Sequence, residues 1–220
     1  VTEINVKGLD KITILSANYM DGLKKLTLEG NSKLQILSSH HNKAIEAIDA
    51  SNLPSLINLD TYYSPNLKTI NTTNSPKFSN FNGASNNNLN NFIGLSENTQ
   101  LENFTASYSK IESYDFSKMT NLRDVNLASA AVKEIKGLSA AGANLKELQL
   151  SNTHVASLDV SNNPNLTKLD LYNVREMTTV DVTHNPNLTY LRTTFLPLTT
   201  LDLSNNTKLV ELSIAHNKLS

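Results

Sequence analysis

The apolar positions of this chain recur with a period of about 22 residues. Segments reading apolar-x-x-apolar begin at Leu34, Leu56, Phe78, Leu101, Leu122, Leu145, Leu166, Leu188 and Leu209, with successive starts 21 to 23 residues apart and a third apolar residue two further on in those from Leu101, Leu122, Leu145, Leu166 and Leu209. A tenth begins near Ile12, where Leu9, Ile12 and Ile14 offer a competing register. Where the third is present, the last two apolar positions are two apart. They therefore fall on one side of an extended strand, and the residue between them points to the other. A second half-repeat starts at Ile45, Leu67, Val155, Met177 and Leu198, and most of these end in SNNPN or a relative of it. Proline presets its own φ and Asn and Ser side chains bond nearby backbone, so this ending predicts a tight turn. A 22-residue coil holding a strand and a turn has no room for a three-turn helix. One coil cannot bury its own apolar residues, whereas a stack of them can. The pattern predicts a right-handed repeat solenoid over 1–220, a single domain of about ten repeats. A parallel β-sheet would line the concave face, turns and short extended segments the convex face, with little or no α-helix. The stretches 94–100 (GLSENTQ) and 137–144 (GLSAAGAN) replace the proline turn and lengthen their half-repeats, which predicts two bulges on the convex side.

Composition narrows the function. Nineteen Lys and Arg against 20 Asp and Glu give a net charge of −1. That balance supplies no positive field for nucleic acid or an anionic membrane. The absence of cysteine removes disulfides, cysteine zinc sites and thiol nucleophiles together. Apolar runs are only a few residues long, so neither membrane insertion nor a signal peptide is expected. About 30 asparagines are present, and the turns account for many of them. No HExxH, GxSxG, P-loop or GxGxxG motif occurs, so no catalytic residue, cofactor or enzymatic activity is expected.

The LxxLxL runs Leu145-Leu148-Leu150 and Leu166-Leu169-Leu171 resemble the signature of the leucine-rich repeat family in its short bacterial form, and the resemblance covers essentially 1–220. The SNNPNL linkers are similar to those of secreted Bacteroidetes leucine-rich repeat proteins. The family's asparagine column is present at Asn42, Asn86 and Asn217. It is replaced by Ser64, Ser109, Ala130, Thr153, Val174 and Leu196, which puts the turn geometry of those coils in question. Neither end shows a polar capping repeat, so a fragment with flanking sequence is expected. The resemblance implies protein recognition through the concave face, at the surface of or outside a bacterial cell.

Four residue columns face outward on that surface. Six of the seven tyrosines fall in them, and tyrosine is an amphipathic contact residue favoured at binding sites. The candidate ligand-binding residues form two groups: Tyr19, His40, His41, Tyr62, Tyr63 and Tyr108, then Tyr172, Tyr190, Arg192 and Phe195. Asp60, Asp124, Glu147, Asp170 and Glu211 outnumber Lys168 and Arg192 there, so the face is mildly acidic. No metal site is expected: His40 and His41 are adjacent, and neighbouring strand residues point apart unless the chain there is a loop. Asp49, Asp159, Asp181 and Asp202 occupy one repeat slot, as residues that bond a turn do. The expected activity is a non-enzymatic protein-binding or adhesion module, its partner a host surface or matrix protein. A glycan-binding surface and a structural spacer are the alternatives.

Overall fold

The computed structural model describes residues 1–220. It contains ten front strands of three residues each, from the first half of each coil, with shorter parallel ladders behind them. The chain divides into two compact units, Val1–Ile111 and Glu112–Ser220.

In the first unit the front strands are Ile14–Ser16, Ile36–Ser38, Asn58–Asp60, Asn80–Asn82 and Asn103–Thr105. Each pairs in parallel with the next, so Leu15, Leu37, Leu59, Phe81 and Phe104 lie side by side. Behind them Glu3–Asn5 pairs with Lys25–Thr27, and Ala47–Asp49, Thr69–Asn71 and Asn91–Ile93 form a second ladder. In the second unit the front strands are Asp124–Asn126, Glu147–Gln149, Lys168–Asp170, Tyr190–Arg192 and Glu211–Ser213. Its back ladder is one pair, Ser113–Asp115 with Glu134–Lys136. The later second-half segments run without ladder pairing.

The register is the one the apolar pattern predicts. The middle residue of nearly every front strand is buried, with Leu37, Leu148 and Leu169 fully enclosed, while its neighbours are more exposed, Asp170 excepted. Near the N-terminus the chain takes the Ile12–Leu15 register, which leaves Ile14 exposed. In the last strand Leu212 is exposed where the equivalent Leu191 is buried. Helix is confined to two 3-10 segments, Leu95–Glu97 and Leu138–Asn144. Each follows a glycine with positive φ, at Gly94 and Gly137. These glycines are held close to the preceding coil: a Cβ on Gly137 would lie 2.3 Å from the backbone of Ser117.

Asparagine does two buried jobs, one of them not visible in the linear pattern. In the family column, Asn42 donates from Nδ2 to the Ala17 carbonyl at 2.7 Å and accepts from the Met20 N–H at 2.8 Å. The break in that column does not disturb the turn: all ten coils keep the same left-handed corner described below. The second job lies in the SNNPN turns, which the pattern marks only as tight turns. Asn163, Asn185 and Asn206 are enclosed. Each donates to two carbonyls: Asn185 to Val160 and Asn163, both at 2.9 Å, and Asn206 to Val182 and Asn185, both at 2.9 Å. The recurrent Asp slot bonds the turn as expected, each of Asp49, Asp159, Asp181 and Asp202 accepting from the N–H two residues on.

Candidate functional site

The outward surface of the front strands begins with the two strand columns and continues past the strand ends into a corner. The first residue after this bend projects from extended chain. The next has positive φ in every coil: Tyr19, His41, Tyr63, Ser85, Tyr108, Ser129, Asn152, Asn173, Phe195 and His216, between 51° and 64°. Hydrogen bonds from this residue to the following coil hold the corner. The Tyr19 N–H donates to the His40 carbonyl at 3.0 Å, His41 to Tyr62 at 2.8 Å, Tyr63 to Ala84 at 2.9 Å and Phe195 to Ala215 at 3.0 Å. The left-handed region costs an L-residue about 1–2 kcal/mol, and asparagine tolerates it best after glycine. This chain uses asparagine at the equivalent corners Asn152 and Asn173, and at Asn52 and Asn74 behind. Yet six of the ten front corners carry an aromatic or imidazole ring.

In the first unit these rings assemble into one shelf. Tyr19 stacks on His41 with centroids 4.5 Å apart and meets the edge of His40 at 5.1 Å. His41 contacts Tyr62 and Tyr63, each at 5.2 Å. Tyr19, Tyr62 and Tyr63 remain exposed. The adjacent histidines do not point apart, because neither lies in the strand. The left-handed backbone at His41 turns its ring back onto its neighbour, and the two Nδ1 atoms lie 3.0 Å apart. Tyr108 is not part of the shelf. Its predecessor at the corner is Ser85, which has no ring to continue the stack, and Tyr108 stands 54 % exposed. Beside the shelf the amides of Asn58, Asn80 and Asn103 form a ladder, each later Nδ2 donating to the earlier Oδ1 at 2.8 and 2.6 Å.

In the second unit Phe195 stacks on His216 at 4.3 Å and meets the edge of Tyr172 at 5.6 Å. Arg192 lies over the Tyr172 ring at 4.7 Å. It also grips Asp170 with two bonds, Nε to Oδ1 at 2.8 Å and Nη2 to Oδ2 at 2.6 Å. Tyr190 stands apart from this stack, with the Lys168 ammonium 5.6 Å from its ring. His216 belongs to the group although the two sequence clusters omit it; its place in the corner column, one coil after Phe195, was the available signal. Phe195 and His216, with Arg175, Leu196, Pro197 and Lys218, line a hollow of about 300 Å³.

The acidic excess of the strand columns is reduced by pairing, since Arg192 neutralises Asp170 and Lys168 lies 3.8 Å from Glu147. Asp124 departs from ordinary carboxylate behaviour. Partial burial raises its pKa, Glu147 on the neighbouring strand adds to the rise, and Arg123 opposes it. No group of three or more His, Asp or Glu side chains converges on a point. No helix is long and apolar enough to cross a membrane.

No family model and no curated protein matches the chain. Solved structures do, and they share its fold. The functional domain of InlJ from Listeria monocytogenes, which includes a cysteine ladder, superposes with a TM-score of 0.60 at 23% identity over 100% of this chain. This chain spans 59% of that domain and has no cysteine with which to build such a ladder. The plant peptide hormone receptor RGFR1, solved in complex with RGF2, gives 0.62 at 17% identity over 90% of this chain and 41% of its own. The TLR13–ssRNA13 complex gives 0.52 at 18% identity over 95% of this chain and 42% of its own. The fold is therefore the leucine-rich repeat solenoid, a parallel β-structure with a coil of about 22 residues.

Proposed function

We propose that this chain is a non-enzymatic protein-binding module. It engages its partner through the outward face of the front strands, centred on the shelf of Tyr19, His40, His41, Tyr62 and Tyr63. Tyr172, Arg192, Phe195 and His216 would act as a second contact area, with Tyr108 and Tyr190 as flanking contacts. The observation that carries this reading is the choice of side chain at the left-handed corners. Asparagine meets the backbone requirement at two front corners, yet exposed aromatic rings occupy others at a conformational cost. Strain concentrated at one exposed column is a signature of a functional surface, and rigid aromatics are effective anchors in interfaces.

Structures sharing the fold have been solved with a peptide hormone and with single-stranded RNA, so the fold does not choose between them. Charge favours protein, because the strand columns carry more acids than bases and the net charge is −1. The finer reading is adhesion by a secreted or surface-held bacterial protein to a host surface or matrix protein. The similarity to a Listeria domain and the SNNPNL linkers support it. A glycan is the second reading, favoured by the exposed rings lying beside the Asn58–Asn80–Asn103 amide ladder.

The test is a panel of purified extracellular matrix and cell-surface proteins, run beside a glycan array. Wild type is compared with the triple variant Tyr19→Asn, Tyr62→Ser, Tyr63→Asn. Protein binding by wild type that the folded variant loses supports the proposal. Binding confined to glycans transfers the site to the second reading. Equal binding by both proteins leaves the rings as ordinary corner residues and moves the contact elsewhere on the chain; no binding by either overturns the proposal in favour of a spacer.

A further inference from the structure

We infer that His40 and His41 form a chelating site for a divalent first-row transition ion of tetragonal preference, copper(II) foremost. The inference stands apart from the protein-binding reading and needs no partner. Its basis is the approach of the two Nδ1 atoms to 3.0 Å. At metal–nitrogen distances of about 2.0–2.1 Å, that separation corresponds to an N–metal–N angle of about 91–97°. Such an angle is a cis edge of a square-planar or octahedral ion. A tetrahedral ion would require the two nitrogens about 3.3 Å apart. Without metal, one Nδ1–H donates to the other Nδ1. With metal, both neutral rings carry their proton on Nε2 and both Nδ1 lone pairs turn to a common point, with no change of charge in the protein.

The backbone beneath the pair is fixed before any ion arrives, so that only the two rings must turn, which lowers the cost of binding. The His40 N–H donates to Asn18 Oδ1 at 3.0 Å, and its carbonyl accepts from Tyr19 at 3.0 Å. The His41 N–H donates to the Tyr62 carbonyl at 2.8 Å, and its backbone is fixed at a φ of 56°. Tyr19 covers one side of the His41 ring, while Tyr62 and Tyr63 border it. Both histidines are half-buried, so an ion can reach them from solvent. Two imidazoles leave at least two coordination positions to water. The other three histidines stand singly, His154 paired with Glu176, His184 beside Thr183 and His216 stacked on Phe195.

The experiment titrates untagged protein with copper(II) in a weakly coordinating buffer, by calorimetry and by frozen-solution electron paramagnetic resonance. His41→Asn is a mild substitution, because asparagine occupies the same left-handed corner at Asn152 and Asn173. His40→Gln alters the extended position beside it, and His216→Asn serves as control. Circular dichroism verifies that each variant is folded, and either histidine variant alone tests the pair. The expected result is one tight equivalent per chain with hyperfine splitting from two nitrogens. Affinity should fall by more than the roughly 10–100-fold that losing an outer-shell partner costs, in each of His40→Gln and His41→Asn, and stay unchanged in His216→Asn. A tight equivalent that survives both substitutions, a spectrum with one nitrogen, or wild-type binding no tighter than that of His40→Gln would overturn the inference.

Discussion

The left-handed corner makes a prediction whose sign is opposite to the usual one. Tyr108 is the cleanest place to look, because it is 54 % exposed, has φ of 64° and lacks the stacking partners of the shelf tyrosines. Consider Tyr108→Ala and Tyr108→Gly. Both remove the ring and whatever burial it had, so that loss cancels between them. What remains is the backbone. Alanine keeps a Cβ in the left-handed region, at about 1–2 kcal/mol, and glycine does not. Against this, glycine has more freedom to lose on folding, by about 0.5–1 kcal/mol. The glycine variant should therefore be the more stable of the two by about 0.5–1 kcal/mol. At Ala84, on the ordinary side of the corner in the preceding coil, Ala84→Gly should lose about 0.5–1 kcal/mol. Urea midpoints read both comparisons, provided the slopes agree. If Tyr108→Ala equals or exceeds Tyr108→Gly in stability, the corner carries no strain. Aromatic rings would then sit at these corners at no conformational cost, and the proposed functional column would be overturned.

Three further expectations address the packing, the buried amides and the charge. Leu148→Ala and Leu169→Ala each remove a fully enclosed side chain and should cost about 2–5 kcal/mol in chemical unfolding, with wild-type midpoints showing the register to be wrong. Asn185→Ala removes the side-chain donor from the Val160 and Asn163 carbonyls, which keep the backbone N–H groups of Asn163 at 3.0 Å and Leu166 at 3.1 Å, so it should cost roughly 1–3 kcal/mol for two lost bonds; a neutral substitution would mean that water replaces the amide there. Asp124 holds its proton more tightly folded than unfolded, so its ionised form weakens the fold above its folded pKa, and the effect vanishes below the unfolded value of about 3.9. Asp124→Asn should raise the melting temperature at pH 7 by an amount worth less than about 1 kcal/mol and have no effect near pH 3. A loss of stability at pH 7 would show that the Arg123 pairing outweighs burial.

Other acids have the opposite linkage. Asp159, Asp181 and Asp202 are held below the usual carboxylate range, principally by the hydroxyl and backbone N–H of the residue two positions on. Their turn contacts contribute stability above the unfolded pKa and lose it as pH falls through the folded value. These three turns therefore lose stability in acid, whereas the amide bonds of Asn163, Asn185 and Asn206 do not titrate.

Sequence by itself determined the coil and its register. Whether Leu59 or Asn58 faces inward depends on alternation within three residues, and eight of the ten front strands state that alternation, with Ile14 and Ile36 departing from it. The Asp slot was legible for the same reason, since its bond reaches only two residues along the chain. Tertiary structure decided what depends on the neighbouring coil. The backbone of His41 is left-handed because its N–H must meet the Tyr62 carbonyl, 21 residues away, and nothing in the dipeptide His40-His41 announces that bond. Once it forms, two side chains expected to diverge meet at 3.0 Å. The same contact between coils gathers Tyr19, Tyr62 and Tyr63 around them and leaves Tyr108 outside, because a ring stack ends where Ser85 supplies no ring. It also buries the SNNPN asparagines, whose polarity suggests surface until the carbonyls of the preceding coil arrive to be satisfied. Local chemistry fixed which residues point outward; the packing of one coil on the next fixed which of them touch.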